Sequence, residues 1–445
     1  MKRWAFAIAI VVGAACGDND APPALVRGGF LHDAEGRALI MRGVNLSGFQ
    51  KNAPYLDDKV EADYARVRAD WGFDAIRFLM TWSAVEPVQG QYDDAYLAEV
   101  AKRMDWAHDA GLAVILDMHE DIYGEGFGFD GAPKWTCDAS HYAAFVPKDP
   151  WFLNATDPDV IACVDHFFDD AALQQQFTAM WAHVAQKLAP YPAVIGFDAL
   201  NEPNWGSYPI FSFEKDKLAP LYDQVVRAVR EPAPQWVAFL EPSASRNGGI
   251  ATSLPKPPYP DVMYAPHSYD TTAESGGGFD PSHRQMILDN VSDLAYEAGQ
   301  LGEGLWIGEY GGTGSSPGIV DYMTAQYDAA GAVAGSTMYW SYDKSEGYSL
   351  LDAAGNEKPD LVNTVVRPYP ERIAGTPISY AWDQGTFTFV MKGDASITAP
   401  TVLSVPDRVY PTGYQVECGG CSATKSAGSL ALTGITGDAT ITLHP

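Results

Sequence analysis

What most constrains this chain is a grammar repeated between about residue 38 and residue 343: a short β-rich run, a polar loop, an amphipathic segment, then the next run. The runs are 39–46, 75–82, 113–119, 194–200, 236–241, 262–267, 305–309 and 336–340, and helical candidates fall between them at 57–71, 96–110, 171–189, 217–229, 282–298 and 319–330. Eight alternating units with buried-looking strands predict an α/β fold, a (β/α)8 TIM barrel. A doubly wound sheet also alternates, but it does not account for polar residues at the ends of eight runs. Residues 30–37 are expected to form a small hairpin closing the lower end of the barrel.

After about Arg367 the grammar changes to short Thr-rich and Val-rich strands with Gly and Pro between them, near 387–392, 401–405, 415–417, 430–433 and 440–443. That pattern predicts a small C-terminal β-sandwich. It carries no acid pair or histidine cluster, so a packing role is expected, with lipid or sugar docking as the alternative. The chain therefore divides into a leader and tether over residues 1–23, a catalytic barrel over 24–367 and a sandwich over 368–445.

The leader has Lys2 and Arg3 ahead of an apolar stretch from Trp4 to Ala15, too short to span a bilayer and suited to export. Cys16 follows Gly13-Ala14-Ala15, which resembles a bacterial lipobox with Cys16 as the lipidated residue; simple signal cleavage is the alternative. An exported location, extracellular or in a bacterial envelope, is expected, with a membrane tether through Cys16. Setting Cys16 aside leaves Cys137, Cys163, Cys418 and Cys421, and export allows disulfides, expected as 137 with 163 and 418 with 421. A zinc half-site or redox motif at Cys418-Gly-Gly-Cys421 lacks a second CxxC or a thioredoxin-like context. The net charge of −28 repels phosphate backbones, so no nucleic-acid partner is expected, and the chain is read as a monomer.

In a barrel the C-terminal strand ends converge on one face, where catalytic groups sit. Here those ends carry Asn45, Arg77, His119, Asn201 with Glu202, His267 with Tyr269, Glu309 and Trp340. Glu202 and Glu309 close runs four and seven. Two carboxyls about 5–5.5 Å apart serve as acid/base and nucleophile in a retaining glycosidase. Glu241, in Leu240-Glu241-Pro242, mimics the Asn201-Glu202-Pro203 pattern without its Asn and is read as a supporting carboxylate. The other histidines show no ligand spacing with acids or cysteines, so neither a catalytic metal nor a cofactor is expected.

The ordered set Arg77, His119, Asn201-Glu202-Pro203, His267-Ser268-Tyr269, Glu309 and Trp340 resembles glycoside hydrolase family five over about residues 38–343. The resemblance implies that Glu309 attacks the anomeric carbon while Glu202 protonates the leaving oxygen and later activates water. It implies Glu309 ionised beside Arg77 and Tyr269, and Glu202 protonated at rest. Asn201 would hold the sugar 2-hydroxyl, His119 and His267 would position hydroxyls and the acid/base, and Trp340 would stack beneath the sugar.

The run Asp117-Met118-His119-Glu120-Asp121, with Gly131-Ala132-Pro133-Lys134-Trp135, is similar to the loop after strand three in endoglycoceramidases, which cut between an oligosaccharide and ceramide. In that comparison Lys51 and Asp121 would bind sugar hydroxyls and Trp135 would line the sugar site. A glycosphingolipid is then the expected substrate. An exo-acting β-glucosidase on glucosylceramide or steryl glucoside, or a β-glucanase, is the alternative. A ceramide leaving group needs an apolar slot, and Phe127, Phe129, Trp135, Trp205, Tyr208, Phe211 and Phe213 are the candidates for its walls.

Overall fold

The computed structural model describes residues 25–445; the leader and Cys16 lie outside the described residues. Eight parallel strands close into a barrel: Arg42–Leu46, Ala75–Met80, Ala113–Met118, Val194–Asp198, Val237–Leu240, Val262–Tyr264, Gly304–Gly311 and Ser336–Tyr342. The eighth pairs with the first, Tyr339 opposite Val44, so the barrel has no free edge. These strands are buried on both faces, as parallel strands under an outer helix ring must be.

Outside them lie Glu61–Ala69, Asp94–Ala110, Ala171–Leu188, Ala219–Arg230, Arg284–Leu301 and Ile319–Ala332. Their ends follow local chemistry. Asp93 caps Asp94–Ala110 by accepting the N–H groups of Ala95 and Tyr96, and Gly111 at φ 76° ends that helix in the left-handed region. After the fifth strand the connection holds only a 3-10 turn, Ala244–Gly248, in place of an α-helix.

The C-terminal part is two antiparallel sheets packed around Phe387, Phe389, Met391, Leu403, Leu430 and Ile441. The N-terminal strands behave in a way local pattern did not indicate. Phe30–His32 and Ala38–Leu39 do pair as a hairpin, and Leu31 packs with Met41, Ile115, Val237 and Trp306 at the lower end of the barrel. Yet Ala38–Leu39 also pairs with Tyr369–Ile373, so the hairpin is an integral edge of the sandwich's seven-stranded sheet.

Candidate active site

Arg77, on the second strand, is the hub of the upper face, and its side chain has no solvent exposure. Its Nη1 donates to Asn45 at 3.1 Å and Glu309 at 2.7 Å. Its Nη2 donates to Asp117 at 2.9 Å, Asn201 at 2.8 Å and Glu241 at 2.8 Å, while Nε reaches Asp198 at 3.0 Å. One guanidinium thus ties the second strand to the first, third, fourth, fifth and seventh. Its planar fork of donors suits this where a lysine point charge would not.

The two glutamates meet across His267, at the end of the sixth strand. Glu202 has φ of 42°, a left-handed conformation that costs a residue with a Cβ about 1–3 kcal/mol and is held here by the structure around it. Glu241 Oε2 accepts the Glu202 backbone N–H at 2.9 Å, which gives the supporting carboxylate a defined task. Glu202 Oε1 accepts from His267 Nδ1 at 2.7 Å and from Asn247 Nδ2 at 2.6 Å. Glu309 Oε2 accepts from the Tyr269 hydroxyl at 2.9 Å and lies 3.6 Å from His267 Nδ1. A Cβ on Gly308 would stand 3.0 Å from His267 Nε2, so glycine before the second glutamate leaves room for the imidazole.

A carboxylate oxygen of Glu202 and one of Glu309 lie within 4.8 Å of each other. Inverting glycosidases hold their carboxyls about 6.5–9.5 Å apart to admit a water, whereas retaining ones hold them at about 5–5.5 Å. The spacing here is that of a retaining pair.

The two glutamates are shifted in directions opposite to those expected from sequence, Glu202 downward and Glu309 upward. Burial pushes Glu202 up, but the hydrogen bond and charge of His267, with Asn247, outweigh it and hold the carboxyl below the ordinary glutamate value. Burial also dominates at Glu309 and, despite His267 and Arg77, leaves it above that value. His267 is pulled down by burial and raised further by Glu241, Glu309 and Glu202, so it stays protonated well above the ordinary histidine value. The reason is geometric: the imidazolium bonds directly to Glu202, not to Glu309. His267 and Glu202 therefore form a charge-assisted hydrogen-bonded pair.

A second wall carries the sugar-binding candidates. Lys51 pairs with Asp121, and its ammonium lies 4.6 Å from the centre of the Trp340 ring. Trp340 stacks on His119 with ring centres 5.3 Å apart and planes 13° off parallel. His119 Nδ1 bonds Asp117 at 2.8 Å; burial, with Lys51 and Arg77, holds its pKa well below normal, so the ring is neutral and its partnerless Nε2 is an acceptor. Asn201 gives its Oδ1 to Arg77 and one amide hydrogen to the Glu120 carbonyl at 3.1 Å, leaving the other for a ligand.

Among the described residues, two clusters have ligand atoms close enough to hold a metal: His119 with Asp121 and Asp130, and Glu202 with His267 and Glu309. Each already contains a cation, Lys51 in the first and protonated His267 in the second.

Comparison with known proteins agrees with this arrangement. Residues 32–346 match the cellulase (glycosyl hydrolase family 5) model, and residues 367–441 match the glycoside hydrolase family 5 C-terminal domain. The chain belongs to glycoside hydrolase family 5. Endoglycoceramidase I of Rhodococcus hoagii (strain 103S) is 26% identical to this family 5 chain over 439 residues, covering 91% of this chain and 84% of that protein. Endoglycoceramidase of Cyanea nozakii is 24% identical, covering 87% and 84%. The solved structure of endo-glycoceramidase II from Rhodococcus sp. superposes with a TM-score of 0.84 at 30% identity, covering 94% of this chain and 99% of that one. That protein has also been solved as a lactosyl-enzyme intermediate and as a ganglioside GM3 complex.

Trp135 is half-buried, donates its indole N–H to the Glu86 carbonyl at 3.0 Å and packs edge-on against Trp82. Phe127 packs among Tyr123, Tyr142 and Phe145, and Phe213 against Phe168 and Tyr208, and neither lines the small apolar cavity beside His119 and Glu120. That cavity, of about 40 Å³, is lined by Trp82, Met118, Val164, Phe167, Phe168 and Leu200.

Sequence reasoning also passed over Asn247 and the carboxylate Asp198, and quoted Asp117 without assigning it a role. Aspartates inside otherwise apolar parallel strands are a readable signal, because an unpaired buried charge is not tolerated there. Asn247, in the turn after the fifth strand, carries no such signal. Both expected disulfides are present, Cys137–Cys163 and Cys418–Cys421.

Proposed function

We propose that this enzyme hydrolyses the β-linkage between oligosaccharide and ceramide in glycosphingolipids, by double displacement, releasing both halves intact. The observation that carries the mechanism is the short separation of Glu202 and Glu309 across His267. The substrate reading is supported by endoglycoceramidases that match this chain through both domains.

Glu309 attacks the anomeric carbon as the glycosidic C–O bond breaks, and Glu202 gives its proton to the departing ceramide oxygen. That proton reaches Glu202 from His267 Nδ1 along their shared hydrogen bond. Water then attacks the glycosyl-enzyme ester, losing a proton to Glu202, and Glu309 is released as carboxylate. Arg77 and Tyr269 stabilise the negative charge on Glu309 at the start and end of the cycle. Asn201 donates its spare hydrogen to the 2-hydroxyl, His119 Nε2 accepts from a hydroxyl, Lys51 and Asp121 bind hydroxyls of the reducing-end glucose, and Trp340 supports the sugar face. Export, with lipidation of Cys16, is part of the same proposal; the leader and the two disulfides support it.

The test is product analysis on lactosylceramide. Lactose and intact ceramide are expected from the first time point, with the new reducing end in the β configuration. Galactose as the first product would replace the endo reading with an exo-acting one. Equal rates on cello-oligosaccharides of matching length would make the enzyme a glucanase.

A further inference from the structure

We propose that segment 146–153 is an anchor that seats the mouth of the active site on an uncharged lipid bilayer. This rests on the glycolipid reading above and says how an enzyme of that kind reaches a substrate embedded in a membrane.

The segment lies in a long excursion after the third barrel strand, clipped by Cys137–Cys163. The helix Pro158–Asp169 in that excursion buries Val160, Val164, Phe167 and Phe168. The tip before it does the opposite. Val146 is 70% exposed, Trp151 49%, Phe152 37% and Leu153 40%, and Phe211, in the loop after the fourth strand, is 74% exposed. Single exposed apolar residues are ordinary, but four within eight positions mark an interaction surface.

The outward pose is built into the loop. Asn154 is 1% exposed, and its amide closes the segment from inside: Oδ1 accepts the Lys148 N–H at 2.7 Å, and Nδ2 donates to the carbonyls of Lys148 at 3.2 Å and Trp151 at 2.5 Å. With the polar centre satisfied internally, the three apolar side chains stay outside it. Trp151 and Phe152 meet edge-to-face at 6.4 Å, forming one small wedge.

Its location points to the leaving-group side. Asn204, two residues beyond Glu202, donates to the Ala155 carbonyl at 3.0 Å, and Ser207 N–H donates to Asp165 at 2.8 Å. The wedge is thus braced against the loop that carries the acid/base. A lipid whose head group enters the site would keep its tails in the layer the wedge touches.

Charge selects the kind of surface. The segment holds one Lys148 and one Asp149, net zero, on a chain of net charge −28. Attraction to anionic lipid is absent, so contact depends on tryptophan and phenylalanine entering the interfacial zone of a zwitterionic bilayer.

The experiment compares the native chain with the triple variant Trp151→Ser, Phe152→Ser, Leu153→Ser. Binding is read by co-sedimentation with phosphatidylcholine vesicles free of glycolipid, and thermal unfolding is the folding control. Turnover is read on lactosylceramide in the same vesicles and on a soluble aryl lactoside. The native protein is expected to sediment with plain vesicles and the variant at least tenfold less. Vesicle lactosylceramide hydrolysis should fall at least tenfold, with aryl lactoside turnover within twofold. If the triple variant unfolds, Trp151→Ser alone, which keeps the Asn154 closure, is read by the same binding assay and should still bind severalfold less. Equal vesicle binding by variant and native protein, or no binding by the native protein, overturns the anchor. Loss of a native dimer in the variant with vesicle binding retained also overturns it, making the tip a contact between two copies. Vesicle binding that depends on the tip in a protein that leaves lactosylceramide uncut would instead support the anchor and refute the substrate reading.

Discussion

Replacing Arg77 with methionine removes the guanidinium shared by Asp117, Asp198, Glu241 and Glu309, whose side chains are at most 7% exposed. Deleting one partner of a buried ion pair costs about 3–5 kcal/mol, against a total stability of about 5–15 kcal/mol. The variant should fold but melt earlier. Its deficit should shrink as pH falls, because carboxylates left without their cation are neutralised by taking up protons. Catalysis should change with a definite sign. Glu309 is already raised by burial, with His267 and Arg77 pulling it back down. A neighbouring arginine lowers a carboxyl by about 1–3 pH units, so its removal should move the acid limb of kcat/KM to higher pH by a similar amount. At a pH on that limb, the rate falls by about 10 to 1000-fold. The assays are a pH profile on an aryl lactoside and thermal unfolding. Adding Glu309→Gln to the variant removes one uncompensated carboxylate and should restore part of the stability without restoring activity. An acid limb at its native position, or a double variant less stable than the single one, would refute this account of the hub.

Glu309→Ser should abolish hydrolysis by many powers of ten while accepting a glycosyl fluoride of inverted configuration as donor; substantial hydrolysis by the purified variant would remove Glu309 from the nucleophile's role. Glu202→Gln should slow lactosylceramide cleavage by about 100 to 10,000-fold but spare an aryl glycoside with a good leaving group far more, and equal losses would place the proton elsewhere. Asn247→Ala removes a hydrogen bond that favours ionised Glu202, so the Glu202 pKa should rise, measurable as an alkaline limb moved to higher pH. Intact-mass analysis without reduction should find no alkylation at Cys137, Cys163, Cys418 or Cys421; labelling at all four would contradict the two bridges.

The barrel and its catalytic ends were legible because the fold writes them locally. Each strand is an apolar run that stops at a polar residue, and closure brings those stops together without long-range information. Residues whose role depends on a neighbour chosen by packing were not legible. Phe127 and Phe213 look like slot aromatics in sequence, but only the excursion folding over them decides that they are buried. The direction of the two glutamate shifts was not legible for a similar reason: the sequence brings His267 to the same barrel face as both acids without showing which of them receives its N–H. The pairing of residues 38–39 with 372–373 is beyond any pattern window, since two-residue strands carry almost no signal of their own.

That pairing has a consequence for the order of events on the ribosome. Val26–Arg27, Phe30–His32 and Ala38–Leu39 emerge before any barrel strand, but their next neighbour in the sheet, Tyr369–Ile373, is translated only after the whole barrel. Throughout that interval the nascent chain carries a bare strand edge, the kind of surface that recruits other unfinished chains. The hairpin and residues 369–373 therefore work as a clasp that closes only after both have been synthesised. Translation stalled before residue 369 leaves that edge without its downstream partner.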